Sequence, residues 1–163
     1  KFIGCGLQVL NAERLFILGL LHNLGELIIK QISAEKVLAC LCDNSDILPW
    51  HKQQEVLGFT YGECSAELLK LWQLPYNLVA PIRNQDIDNF NSVNVETQLL
   101  YIAKRMMTQQ DFLTSAALQQ LISELDSTSL PINEQILSTA LDYCDLERLS
   151  IISLLNPSSA TLY

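Results

Sequence analysis

Apolar side chains recur along most of this chain at intervals of three and four residues, the spacing that places them on one side of an α-helix. The densest run extends from Asn11 to Ile32. Asn11 can cap a helix there, and Glu13 places a negative charge in the first turn. Because leucine and isoleucine occupy almost every face of this run, we predict one central helix that is buried on nearly all sides. No long stretch alternates between apolar and polar residues as a half-buried strand would.

Caps and prolines divide the rest of the chain into shorter predicted helices. Ser33 is a candidate cap for a helix that runs to about Leu41, and Pro49 suits the first turn of another. Thr60 and Glu63 form the T-x-x-E capping box of a further helix. Its buried face is expected to comprise Cys64, Leu68, Leu69 and Trp72. Later helices are expected over residues 75–82, 95–108, 115–125, 133–143 and 146–155. The predicted fold class is therefore all-α, a bundle of about seven to nine helices.

The length of 163 residues suits one domain, which we assign to residues 1–163. Residues 84–94 are rich in Asn and Asp without an apolar pattern and are expected to form a surface loop, and residues 157–163 are expected to be a frayed tail. The helix predicted after that loop is expected to direct one set of side chains inward: Leu99, Leu100, Ile102, Ala103 and Met106.

Composition and charge narrow the classes of partner. The apolar fraction of 49% and the charged fraction of 17% are typical of a folded globular protein. The net charge of −8 disfavours binding to nucleic acid, because an acidic surface repels phosphates. The most apolar window, residues 16–29, is shorter than a membrane span and contains His22, Asn23 and Glu26, so we expect no membrane anchor.

Five cysteines are present, an odd number with spacings that fit neither a disulfide framework nor a zinc knuckle. We expect them to be reduced and to pack as small core residues, which favours a cytoplasmic location.

The residues alone offer little catalytic chemistry. The chain has two histidines, of which His22 lies in the apolar run and is expected to be a core residue with a hydrogen-bond partner, whereas His51 is expected at the surface. A metal ligand at His22 would need companions. The sequence contains neither a nucleophile elbow nor a glycine-rich phosphate loop.

A resemblance adds what composition cannot. Residues 19–27 read G-L-L-H-N-L-G-E-L and resemble the G-L-L-H-D-I-G-K-L signature of HD-superfamily phosphohydrolases. Residues 55–75 contain E-x-x-G-x-x-Y-x-E-x-x-A-x-L-L-x-x-W-x-L-P and resemble the signature of the HDOD family, non-catalytic relatives of those enzymes. Residues 102–105 resemble the L-A-D-x element that closes such domains. The resemblance implies an HD-like orthogonal helical bundle, and the helical part that precedes this region in typical members is expected to be missing.

The departures from the HD pattern bear on function. The resemblance places His22 at a ligand position, but it places Asn23 where the family has Asp, Tyr61 where it has His, and Lys104 where it has the closing Asp. The pair Asn84–Gln85 stands where members often have two histidines. One remaining ligand and a lysine do not suit a dinuclear metal centre, so we expect no metal, no cofactor and no catalytic residue. These six residues are expected to form a vestigial metal site, and Asn23, Tyr61 and Lys104 to converge near His22 as a polar cluster that stabilises the core.

The resemblance implies a non-enzymatic module of bacterial signal transduction that acts by binding protein partners. Two alternatives stay open. The chain could be a divergent HD-type phosphohydrolase, or the vestigial site could recognise a small anion or nucleotide through Lys104 and Asn23.

Overall fold

A computed structural model describes residues 3, 11–41, 47–86, 94–108, 115–124 and 130–155. These residues contain helices and no β-strand, which confirms the all-α prediction. The helices are α1 (Ala12–Leu21), α2 (Leu24–Ile32), α3 (Ala34–Ala39), α4 (Pro49–Leu57), α5 (Tyr61–Leu71), α6 (Tyr76–Arg83), α7 (Val95–Thr108), α8 (Ser115–Glu124) and α9 (Glu134–Leu155). The predicted tail lies outside the described residues, as do residues 87–93 of the predicted loop.

The predicted helix starts are confirmed by their hydrogen bonds. Asn11 Oδ1 accepts from the backbone N–H of Glu13 at 2.9 Å, and Ser33 caps α3 in the same way. Thr60 and Glu63 form the reciprocal capping box of α5, with Glu63 Oε2 2.8 Å from the Thr60 nitrogen. Such bonds need only residues close in sequence, which is why the chain alone indicates them.

The prediction of one long helix buried on nearly all sides is wrong. A turn at His22 and Asn23 separates α1 from α2. Helix α1 packs on the core through the buried Leu15 and Leu18 and the partly buried Leu21, while Phe16 and Leu20 are 55% and 66% exposed. Apolar residues on every face of a helix show that each face could be buried. Whether a face is buried depends on other helices packing against it, which the sequence of that helix does not show. By length and composition alone, the segment Ala12–Ile32 is long and apolar enough to cross a membrane. A single segment of this kind is weak evidence for a span, because the core helix of a soluble protein and a signal sequence near the N-terminus meet the same criteria.

Three smaller predictions about exposure are also corrected. Trp72 is 57% exposed rather than buried, because α5 ends at Leu71 and Trp72 is the residue that follows its last turn. Ala103 lies on the exposed side of α7, although the other four inward positions of that helix are buried. Cys144 is exposed, while Cys40 is buried and Cys64 half-buried, and these three described cysteines carry free thiols.

The two helices predicted over 133–143 and 146–155 form one helix, α9, of 22 residues. Neither glycine nor proline interrupts the sequence between those ranges, so nothing breaks the helical hydrogen bonds. Only its first half is packed against the domain.

The main core lies between α1, α5, α6, α7, α8 and α9, where Leu18, Leu69, Ile82, Ile102 and Leu137 are fully buried. A second, smaller cluster joins α2, α3 and α5 and comprises Ile29, Val37, Cys40 and Tyr61. Glycines allow close helix contacts beside this cluster: a Cβ atom at Gly25 would lie 2.3 Å from the backbone oxygen of Tyr61.

Candidate functional site

His22 stands at the turn between α1 and α2, half-buried beside α5. Its ring nitrogen Nδ1 lies 2.7 Å from the carbonyl oxygen of Gly19. Because a carbonyl only accepts, Nδ1 carries the donated proton and the neutral ring keeps Nε2 as its acceptor. Burial lowers the pKa of His22. The ring therefore has the partner that the sequence required of a core histidine.

Two polar side chains, those of Gln85 and Ser65, bind the backbone around His22. The HD and HDOD motifs do not indicate this role for either residue. Gln85 Nε2 donates to the carbonyl oxygen of His22 at 2.8 Å, and Ser65 Oγ lies 3.1 Å from the same oxygen. Ser65 Oγ also accepts from the Gly25 N–H at 2.8 Å, so it ties α2 to α5. Gln85 is 1% exposed, which corrects the prediction that residues 84–94 form a surface loop at this position.

Asn23 and Tyr61 occupy separate polar contacts near the turn. Asn23 Nδ2 donates to Glu26 Oε2, one turn further along α2. Tyr61 is buried at the start of α5, and its backbone N–H donates to Gln53 Oε1 at 2.9 Å. Burial raises the pKa of the Tyr61 hydroxyl, and a hydrogen bond with Cys40 raises it further. Tyr61 thus belongs to the smaller core cluster and keeps its proton.

Lys104 forms an ion pair with Asp86 across the space between α7 and the end of α6. The side chains are only 16% and 4% exposed, and Asp86 Oδ2 has no hydrogen-bond partner. The ammonium group also lies 5.2 Å from the ring centre of the buried Trp50, within range of a cation–π interaction. Lys104 therefore has a fixed position beneath the His22 turn.

The structure places these groups close enough for their charges to act on one another. After burial, the charges of Lys104, Asp86 and Glu26 all affect the pKa of His22, and Glu26 also affects that of Tyr61. Asn84 ends α6 and lines a shallow pocket of about 200 Å³ whose other walls are Thr60, Glu63, Arg83 and Asp86. Among the six candidate residues, Gln85 bonds directly to the backbone of His22, the charge of Lys104 acts on its ring, and Asn84 lines the adjacent pocket.

Sequence reasoning missed Asp86, the residue that decides the electrostatics of the cluster. Its sequence neighbourhood resembles a polar loop, and no local pattern pairs it with a lysine on α7. The one available signal was Lys104 itself, because a lysine among core positions needs an anionic or carbonyl partner.

The donor set does not fit the metal centre that the HD resemblance implies. Asn23 is uncharged and engaged with Glu26, and Lys104 places a cation in the cluster. Among the residues that the structure describes, no group of three or more His, Cys, Asp or Glu side chains is arranged to hold a metal ion.

Comparison with known proteins gives one result. The HDOD domain family model matches residues 2–87, more than half of the chain. The match includes the turn at His22, the helix that begins at Tyr61 and the pair Asn84–Gln85, and it ends before Lys104. No curated protein and no solved structure shows a significant match. A family match of this extent on an all-helical bundle shows that the chain belongs to the HDOD domain family.

Proposed function

We propose that this chain is a non-enzymatic regulatory module of bacterial signal transduction, acting in the cytoplasm by binding protein partners. The observation that carries the proposal is the ion pair between Lys104 and Asp86 beside His22. A buried lysine whose charge acts on that ring opposes the arrival of a metal cation. The carboxylate of its partner Asp86 is already paired with that lysine, and Glu26 is engaged with Asn23.

The surface of α1 supports a role in protein–protein interaction. Phe16, Ile17 and Leu20 form an exposed apolar stripe at helical spacing, and Leu27 on α2 adds a further exposed apolar side chain. A contiguous apolar surface of this kind is typical of a docking face. The three described free thiols are consistent with a reducing compartment.

Metal content and hydrolysis test the absence of catalysis together. The protein is incubated with Mn²⁺, Mg²⁺ or Zn²⁺, desalted, and assayed by elemental analysis and with bis(p-nitrophenyl) phosphate. We expect no stoichiometric metal and no hydrolysis above the buffer rate. About one metal per chain, lost on His22→Ala, together with hydrolysis, would establish the divergent phosphohydrolase instead.

A restored variant provides the matched control. Combining Asn23→Asp, Tyr61→His and Lys104→Asp supplies anionic and imidazole ligands at the positions that the resemblance identifies. We expect this variant to retain more metal than the original chain, whereas Lys52→Asp on α4, away from these positions, gives no gain. A restored variant that folds but retains no more metal than Lys52→Asp would count against these positions as a former metal site.

The alternative of an anion-binding pocket receives less support from charge. The shallow pocket beside the cluster has two acidic walls, Glu63 and Asp86, and its one cation, Arg83, forms an ion pair with Glu67. With Asp86 paired with Lys104 and Arg83 paired with Glu67, the charge left on the pocket wall is that of Glu63, which repels an anion. Saturable binding of a nucleotide in isothermal titration calorimetry, lost on Lys104→Met, would favour this alternative over ours.

A further inference from the structure

Helix α9 has a packed half and a projecting half. In the first half, Leu137 is fully buried and Ala140 nearly so, while Ile136 and Leu141 are partly buried against the same core. In the second half, every residue from 142 to 154 is exposed. The helix therefore continues for more than three turns beyond the surface on which it is anchored.

The projecting half carries the apolar face of the packed half onward. Five residues follow one another along α9 at spacings of three, four, seven and three positions: Leu137, Ala140, Cys144, Ile151 and Leu154. These spacings place all five on one side of the helix. Ile151 is 53% and Leu154 80% exposed. A helix of this length gains most of its stability from packing an apolar face. The projecting part of this face, beyond Leu141, has no neighbouring helix among the described residues.

The charges in the middle of the projecting half indicate what covers it. Glu147 interrupts the apolar face between Cys144 and Ile151, and Arg148 lies beside it at one edge of the face. In a parallel pair of two such helices, each of these charges would meet its own copy, which is destabilising. In an antiparallel pair with the twofold axis between positions 147 and 148, Glu147 of each copy lies opposite Arg148 of the other.

The same axis also matches the apolar residues. It places Cys144 opposite Ile151 of the second copy, a pair that occurs twice. The packed half of α9 stays on its own domain, so the two domains lie at opposite ends of the pair. We propose that this chain forms a homodimer through the projecting halves of α9, paired antiparallel in this register.

Charge reversal tests the proposed register. We expect a dimer at micromolar concentrations in sedimentation equilibrium. Arg148→Glu would place four carboxylates around the axis and raise the dissociation constant by about tenfold or more at low salt. Glu147→Arg would have a similar effect with four cations. The double variant restores the opposite charges and should return the dissociation constant to within about threefold of the original. Circular dichroism verifies that each variant is folded.

Cross-linking tests the antiparallel orientation independently. In the proposed register Ile151→Cys faces Cys144 of the other copy, so mild oxidation should yield a covalent dimer that is lost when Cys144→Ser is added. Two Cys144 residues are seven positions apart along the pair, about 10 Å, which is too far for a disulfide. Leu149→Cys, on another face of α9, is the matched control and should not cross-link.

Several results would overturn the proposal. One is a monomer at about 100 µM, a concentration at which even a weak dimer should be populated. Efficient Cys144-dependent cross-linking of the original chain would indicate a parallel pair. A dimer that ignores both charge reversals and dissociates on Phe16→Ser with Leu20→Ser would place the interface on α1 instead.

Discussion

Burial favours the neutral ring of His22 in the folded protein, and this makes the free energy of unfolding depend on pH. Burial lowers its pKa below the ordinary value of about 6.5, and Lys104 contributes to the same direction. The unfolded chain therefore binds a proton in a pH range where the folded chain does not. Stability from this group is fully present above pH of about 6.5 and is lost as the pH falls through the folded-state pKa. We expect urea denaturation to give a lower free energy of unfolding at pH 5.5 than at pH 7.5.

Carboxylates also titrate in acid, so the contribution of His22 is measured by comparing the original chain with a variant that lacks this histidine. His22→Gln keeps a polar group but cannot titrate, so its loss of stability between the two pH values should be smaller than that of the original chain. His51→Gln, at an exposed position, removes the other histidine and serves as the comparison. Equal losses in all three proteins would show that His22 is not the group responsible.

Lys104 and Asp86 provide a second test at the residue scale. Lys104→Met keeps the stem beside Trp50 but leaves a nearly buried carboxylate without its counter-ion, which we expect to cost about 2–4 kcal/mol of unfolding free energy. Adding Asp86→Asn removes the orphaned charge and should recover much of that loss. Lys52→Met is the control, since its ion pair with the exposed Glu55 is worth about 0–1 kcal/mol. Additive effects of the two substitutions in a double-mutant cycle would refute the coupling.

The candidate site was partly accessible from sequence because its motif lies on local elements. The residue spacing around His22 and the capping box at Thr60 located two of the helices that form it. The buried partners were not accessible. Asp86 meets Lys104 across 18 positions, and Gln85 reaches the His22 carbonyl across 63, so both contacts follow from how the helices pack.

At the scale of elements, two glycines set how closely the helices around His22 approach. A Cβ atom at Gly25 would lie 2.3 Å from the backbone oxygen of Tyr61, and one at Gly62 would lie 2.6 Å from Gln85 Nε2. A backbone atom cannot yield as a side chain can, so Gly25→Ala should destabilise the protein by about 1–3 kcal/mol. Gly19→Ala is the matched control, because nothing lies within 4 Å of its Cβ position. In the same motif, it should stabilise α1 by about 0.5–1 kcal/mol.

Thermal unfolding followed by circular dichroism measures all three glycine variants. Gly62→Ala should also destabilise the protein, but less than Gly25→Ala, because the backbone oxygen nearest to its Cβ position, that of Ile82, lies at 2.9 Å rather than 2.3 Å. A Gly25→Ala protein as stable as Gly19→Ala would show that α2 and α5 are not in close contact.

The sequence predicted helices better than it predicted their surroundings. Caps and periodicity depend on residues within a few positions of one another, and those at Asn11, Ser33 and Thr60 are confirmed. Whether an apolar face is covered depends on the rest of the fold. The pattern therefore did not reveal that Phe16 and Trp72 are exposed.

At the scale of the whole molecule, many of the described cations are paired with carboxylates. The chain has 18 acidic and 10 basic residues, excluding histidine. Five of the described cations are held by carboxylates: Arg14 by Glu96, Lys52 by Glu55, Lys70 and Arg83 by Glu67, and Lys104 by Asp86. The basic side chains are thus spread over separate helices and partly neutralised, so they do not form a stripe along which a phosphate backbone could lie.

This distribution leads to an expectation about nucleic acid. Non-specific binding depends on releasing counter-ions from several phosphates at once, which requires clustered cations. We expect no saturable binding of labelled single-stranded or duplex 20-mers, followed by fluorescence anisotropy at 150 mM salt, up to about 100 µM protein. The exposed Lys30 and Lys36 on neighbouring helices are the best remaining candidates for a contact, so Lys30→Glu with Lys36→Glu serves as the comparison. Binding tighter than about 10 µM that this double variant abolishes, and that weakens steeply with salt, would reveal a local basic surface that the net charge conceals.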